Sequence, residues 1–350
     1  MGPCSAERRE QVLETARQLR EECGSIPFIY RAGAWKPRTS PYTFQGAGSE
    51  ALKWLVEAKS IYGFDVATEV ATPEHVREAL EAGIDYLWIG ARTSANPIAV
   101  QGIVESLKLS IERSRLDESR KLKGILIKNP VNNDAGLWIG NIERLEKTGI
   151  PVMAVHRGCN HQPCWAMAHA VHLAKPDIPL LIDPSHMSGD AEKIAGLVQK
   201  ARELGFDGAM VEVHHKPEEA LSDAKQQITP RKIREVLLEE ATSHQLISNL
   251  PTTVSESTAK ELSWLRAEID ELDDQLWATI AARMDVSKRI GEWKKAHGIA
   301  PLQPERYREI KEKLKMKNEK LKIGGSTLSE AFMMNVWELI HEESLRQQES

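Results

Sequence analysis

Seven short apolar runs recur through the first two thirds of the chain, with amphipathic helical stretches between them. They read "PFIYRAG", "FDVATEV", "YLWIGA", "GILIKN", "PVMAVHRG", "LLIDPSH" and "GAMVEVHH". Runs apolar at successive positions suit strands buried on both faces, and such strands belong to a parallel sheet covered by helices. Each parallel pair needs a crossover connection, so the alternation predicts a (β/α)8 barrel, with an open doubly wound sheet as second choice. Seven runs leave a barrel one strand short. The eighth would have to end at "GPCS", next to the first residue, as a very short strand or one that is lost.

Beyond residue 240 the texture changes. Residues 241–258, rich in Ser and Thr without sustained periodicity, read as a linker between a barrel over 1–240 and a small all-α domain over 259–350. Leu262, Leu265, Ile269, Leu272, Leu276 and Ile280 recur at three- and four-residue steps, which marks one apolar face on a long helix reaching about Lys295. Further helices are expected from about Glu305 to Leu321 and from Thr327 onward. Three helices cannot bury that face alone, so the domain is expected to dimerise, giving a homodimer or homotetramer.

Composition narrows the partners. With 41% apolar residues the 350-residue chain can build real cores, and a net charge of −5 with both signs interspersed gives no basic field for nucleic acid or an anionic membrane. No apolar run approaches a membrane span and no secretion signal is evident, so a cytoplasmic protein acting on small molecules is expected. Four irregularly spaced cysteines do not make a disulfide framework.

Cationic residues gather at the C-terminal ends of the strand runs, where barrel enzymes build their sites: Arg31, Arg92, Lys128, Arg157, and the stiff "KPRT" loop with Lys36 and Arg38. Such a cluster repels itself unless anions bind there, which points to phosphate and carboxylate substrates. The same mouth holds Cys4, His186, Glu212 and Asp223. These are a possible set for a divalent ion, or a buried cysteine beside unrelated acids, and spacing alone does not choose. His169 and His172, three apart on a helix, read as surface residues.

The ordered motifs "GPCS", "KPRTSPYTFQG", "IGART", "IKNP", "HRG", "DPSH" and "EVH…ALSDAKQQITP" together resemble the type I β 3-deoxy-D-arabino-heptulosonate 7-phosphate (DAHP) synthases over residues 2 to about 240. The resemblance implies condensation of phosphoenolpyruvate with erythrose 4-phosphate. Lys36, Arg38 and Thr39 would contact the aldose phosphate, with Lys36 also a proton donor. Arg31, Arg92, Lys128 and Arg157 would hold phosphoenolpyruvate. Cys4, His186, Glu212 and Asp223 would bind the metal, Mn²⁺ first, with Fe²⁺, Zn²⁺ or Co²⁺ as the others. A related family that uses arabinose 5-phosphate carries Asn-Arg-Ser-Ser where this chain has "KPRTS".

The remainder, from about 259 to 350, resembles the all-helical chorismate mutases. There Arg266 and Arg283 would grip the two carboxylates of chorismate, one of them reaching across from a partner chain. Lys294 and Gln348 would donate to the ether oxygen, with Arg306 and Ser344 completing the set, while Gln303 and Tyr307 stand where many relatives carry acids. The expected protein is a bifunctional, allosterically regulated enzyme of aromatic amino-acid synthesis, making DAHP and converting chorismate to prephenate. The alternative is a synthase whose helical domain only dimerises and binds an effector.

Overall fold

The computed structural model describes residues 1–37, 42–114, 122–238, 256–318 and 328–349. It divides into two compact units, Met1–Glu268 and Ile269–Ser350.

In the first unit, seven strands form one parallel sheet in chain order: β1 (Ile29–Arg31), β2 (Asp65–Val70), β3 (Tyr86–Ile89), β4 (Gly124–Lys128), β5 (Val152–His156), β6 (Leu180–Ile182) and β7 (Gly208–Ala209). Each predicted run supplies one strand. Helices fill the crossovers, among them Ser49–Tyr62, Pro97–Ser114 and Ala135–Glu146. Both sheet faces are apolar, as parallel packing requires. Val66, Leu87, Ile89, Ile125 and Ile127 join the helix residues Leu55, Ile103 and Trp138 in the main core. The intervening Ala67, Trp88, Leu126, Val155 and Met210 form a smaller cluster of their own.

The N-terminal segment supplies the missing eighth strand. On one side Arg31 N donates to Met1 O (2.9 Å) and Ala6 N to Gly33 O (2.9 Å); on the other, Val213 N donates to Gly2 O (2.9 Å). Parallel bridges pair Ser5 with Gly33 and Gly2 with Glu212, so this segment joins both edges of the sheet and the open-sheet alternative falls. Gly2 makes the closure possible. Its φ is +143° and a Cβ there would lie 2.1 Å from Arg31 O, so only a residue without a side chain admits the neighbouring backbone this closely.

Two expectations need correction. Helix Glu256–Ala296 starts inside the stretch read as linker, the rest of which falls outside the described residues. A Ser/Thr-rich stretch suits a helix N-terminus as well as a linker. His169 is not on the surface: Trp264 stacks on its ring at 5.3 Å, Glu268 accepts from its Nδ1 at 2.6 Å, and only 7% of it is exposed.

The second unit holds the rest of that 41-residue helix together with helices Pro304–Asn318 and Glu330–Glu349. A Cβ on Gly291 would lie 2.5 Å from Gln348 Cα, so backbones meet where these two helices cross. The predicted apolar stripe is exposed at Ile269, Leu272 and Leu276, and Trp277, Ile290 and Trp293 are exposed beside it.

Candidate active sites

Four donors on chain-distant segments converge at the C-terminal mouth of the barrel. The ligating atoms of Cys4, His186, Glu212 and Asp223 all lie within 4.8 Å of one another. Cys4 stands on the closing strand. His186 lies on the short helix Pro184–Ser188 after β6, whose first turn is capped by the Asp183 carboxylate accepting from His186 N (3.0 Å). Glu212 follows β7, and Asp223 sits in the next loop at a left-handed φ of +52°.

Charge around these donors is matched pair by pair. Arg31 donates to Glu212 at 2.9 Å, its guanidinium lying 4.4 Å from the centre of the Trp88 ring. Lys128 donates to Asp183 at 2.5 Å, and Asp183 also meets His186 Nδ1 at 2.9 Å. Burial alone would raise the Glu212 carboxyl; His186, Arg31 and Lys36 outweigh it and hold Glu212 well below the usual carboxylate range. Burial, with Glu212 and Asp223, pushes the Cys4 thiol well up against the pull of Lys36 and Arg31. The thiol donates to Asp223 (3.0 Å) and accepts from Lys36 Nζ (2.9 Å).

These donors fit a catalytic divalent ion. Thiolate, imidazole and two carboxylates form a borderline donor set, and a buried anionic Glu212 at 1% exposure is costly unless cations surround it.

The expected self-repelling ring of cations is therefore only partly present. Arg31 and Lys128 are balanced by buried acids, which permits their own burial. Arg92 and Arg157 differ: among the described residues no carboxylate pairs with either. Asn129 Oδ1 accepts from Arg157 N (2.7 Å) and fixes its backbone. Arg38 and Thr39 lie outside the described residues.

A second polar group gathers between helices Glu256–Ala296 and Glu330–Glu349. Arg283 donates to the Ser344 hydroxyl, and Lys294 Nζ donates to Gln348 Oε1 (3.1 Å) and Pro301 O (2.6 Å). Arg306 is exposed and pairs with Glu309 at 2.8 Å, and Arg266 is exposed in the first compact unit. Neither hydrogen-bonds to the other four. Tyr307 packs at a tilt of 47–48° against the rings of Trp337 and His341.

Comparison with known proteins agrees with this division. The DAHP synthetase I family model matches residues 1–106 and 126–247, which is most of the chain. The chain belongs to the DAHP synthetase I family. The chorismate mutase type II family model matches residues 265–349, so a mutase domain follows the synthase domain and both halves of a bifunctional shikimate-pathway enzyme are present. The phospho-2-dehydro-3-deoxyheptonate aldolase of Thermotoga maritima is 32% identical over 245 residues, covering 68% of this chain and 67% of its own length. A 2-dehydro-3-deoxyphosphooctonate aldolase of Fusobacterium nucleatum is 25% identical over 252 residues, covering 67% and 86%. The solved structure of DAHP synthase from Thermotoga maritima superposes with a TM-score of 0.58 at 29% identity, over 70% of this chain and 68% of that one.

Several residues of this synthase site escape sequence reasoning. Asp183 holds both Lys128 and His186; Gln226 Nε2 donates to Glu212 Oε2 (2.8 Å); Gln227 Oε1 accepts from Cys4 N (3.0 Å). The only signal for them lies in "DPSH" and "DAKQQ", where polar residues stand beside the candidate metal donors.

Proposed function

We propose that the chain condenses phosphoenolpyruvate with erythrose 4-phosphate at the barrel mouth and rearranges chorismate to prephenate on its helices. The observation that carries the first activity is the convergence of Cys4, His186, Glu212 and Asp223 beside Arg31, Lys36 and Lys128. A divalent ion held there, Mn²⁺ first among Fe²⁺, Zn²⁺ and Co²⁺, supplies Lewis acidity toward the aldehyde oxygen. Arg92 and Arg157, paired with no carboxylate among the described residues, take the phosphate and carboxylate of phosphoenolpyruvate, with Arg31 and Lys128 orienting it. As the enol carbon bonds to the aldehyde, these cations hold the substrate while water adds at C2 and phosphate leaves with C–O cleavage.

Lys36 gives its proton to the new hydroxyl. Burial draws its pKa down, but the Cys4 sulfur beside it and the charges of Glu69 and Glu212 more than offset this and keep it an ammonium. Arg38 and Thr39 bind the aldose phosphate. The "KPRTS" loop favours the four-carbon sugar, in line with the heptonate aldolase being the more similar relative.

For the mutase, Arg283 and Arg266 bind the two carboxylates of chorismate, while Lys294 and Gln348 donate to the ether oxygen, aided by Arg306 and Ser344. A pericyclic rearrangement needs only the reactive conformer held and charge on the breaking C–O bond stabilised. The exposed apolar stripe supports self-association that would bring Arg266 of one chain to another's helices. Sedimentation at micromolar concentration should give a dimer or larger species; a monomer would remove this part of the reading.

The deciding experiment assays both reactions on one preparation. Exhaustive chelation should abolish condensation, added Mn²⁺ should restore it, and rearrangement should be indifferent to both. Condensation that survives chelation would overturn the metal role. Absence of any rearrangement would leave the helices as a dimerisation and effector module.

A further inference from the structure

Glu212 and His186 are each braced directly by neighbouring side chains. Glu212 is fixed by Arg31, by Gln226, and through its backbone N–H by Ser185 Oγ (3.0 Å), and His186 is fixed by Asp183. Cys4 and Asp223 come from segments 219 residues apart, and the thiol donates to the carboxylate across the gap between them.

The residues next to these two donors are joined as well. Ser5, which follows Cys4, and Ser222, which precedes Asp223, meet hydroxyl to hydroxyl at 2.5 Å. Glu7 is 7% exposed and spans the same junction: its Oε1 accepts from Ser5 Oγ (3.2 Å) and from Leu221 N (2.9 Å). Gln11 secures the Glu7 end by accepting from Glu7 N (3.1 Å) and donating to Ser5 O (3.2 Å). Gln227 secures the other, accepting from Cys4 N (3.0 Å) while donating to Ser222 O (2.8 Å). Asp223, meanwhile, occupies a backbone region that residues other than glycine rarely adopt, and such a conformation persists only where its surroundings over-determine it.

We infer that Ser5, Ser222 and Glu7 form a latch that presets the separation of Cys4 and Asp223, making Ser222 and Glu7 positioning residues for the divalent ion. The inference rests on the metal reading above. Without the latch the ion would have to order the Asp223 loop on binding, and the ordering entropy would be subtracted from affinity. Partners of this outer kind are worth about 10–100-fold in metal affinity.

The test is titration of metal-free full-length protein with Mn²⁺, following free Mn²⁺ by electron paramagnetic resonance, for the parent, Ser222→Ala, Glu7→Gln and Ser222→Thr. Ser222→Ala and Glu7→Gln should weaken binding by about 10–100-fold, and Ser222→Thr, which keeps the hydroxyl, should stay near the parent. A second readout uses Co²⁺. The thiolate-to-cobalt charge-transfer absorption should weaken or shift in Ser222→Ala and not in Ser222→Thr, a change that mere loss of stability would not produce in protein still folded by circular dichroism. If Ser222→Ala and Glu7→Gln bind Mn²⁺ as tightly as the parent, the latch has no positioning role. If the parent itself binds no Mn²⁺, the metal reading fails and the inference with it. Should Ser222→Ala not fold, Glu7→Gln and Ser222→Thr decide the matter by the same criteria.

Discussion

Replacing Cys4 by alanine should lower condensation by on the order of 10³ while chorismate rearrangement continues at the parental rate. The magnitude follows from losing a Lewis acid worth several kcal/mol to the transition state, each 1.4 kcal/mol being tenfold in rate. Cys4 is fully buried, and its sulfur donates its proton in a hydrogen bond to the Asp223 carboxylate. Cys4 would have to give up that proton to hold a divalent ion, and would be the one soft ligand of the set. Alanine removes this ligand but leaves the backbone carbonyl of residue 4, which also accepts from Lys36 Nζ (3.3 Å), so the ammonium stays near its place. Steady-state kinetics of both reactions on the variant, with metal content measured in parallel, check the expectation. Wild-type condensation by Cys4→Ala would remove the thiolate from the site.

The mirror-image result is expected for Lys294→Ala: rearrangement should slow by roughly 10²–10³, the loss of about 3–4 kcal/mol of transition-state stabilisation, and condensation should be unaffected. Lys294 Nζ is preset by Pro301 O and Gln348 Oε1 on either side, so its charge is in place before any ether bond breaks. Because the ether oxygen becomes anionic only as that bond lengthens, the loss should fall on kcat more than on KM. A variant that rearranges chorismate at the parental rate would show that the breaking bond lies elsewhere. Together the two substitutions separate the activities of one polypeptide.

The strands are legible in the sequence because burial on both faces leaves apolar runs, a signal that does not depend on tertiary context. The closing strand is not legible in that way: around Gly2 and Ser5 the pairing consists of isolated bridges, too short for any period, and only its place before β1 hints at it. The four candidate metal donors stand in motifs that a family resemblance picks out, and the fold brings them together. Asp183, Gln226, Ser222 and Glu7 are not told apart in that way, because a polar side chain that holds a ligand looks in sequence like any other polar side chain. His169 misleads for a related reason. The helix Trp165–Ala174 looks half exposed until Trp264, some ninety residues later, is laid against it. Arg266 and Arg306 illustrate the opposite limit: a motif names them, yet within one chain neither hydrogen-bonds to Arg283, Lys294, Ser344 or Gln348.

The union of Cys4 with Asp223 also sets an order of events during synthesis. Chain elongation at about 5–20 residues per second delivers the carboxylate about 10–45 s after the thiol, given their separation of 219 positions. For most of that interval Cys4 has neither the strand partner after β7 nor any of its three companion donors, and can offer a passing ion only a solitary sulfur. On the proposed metal reading, cofactor acquisition would thereby be tied to completion of the barrel, and a nascent or prematurely ended chain would have little with which to compete for the ion.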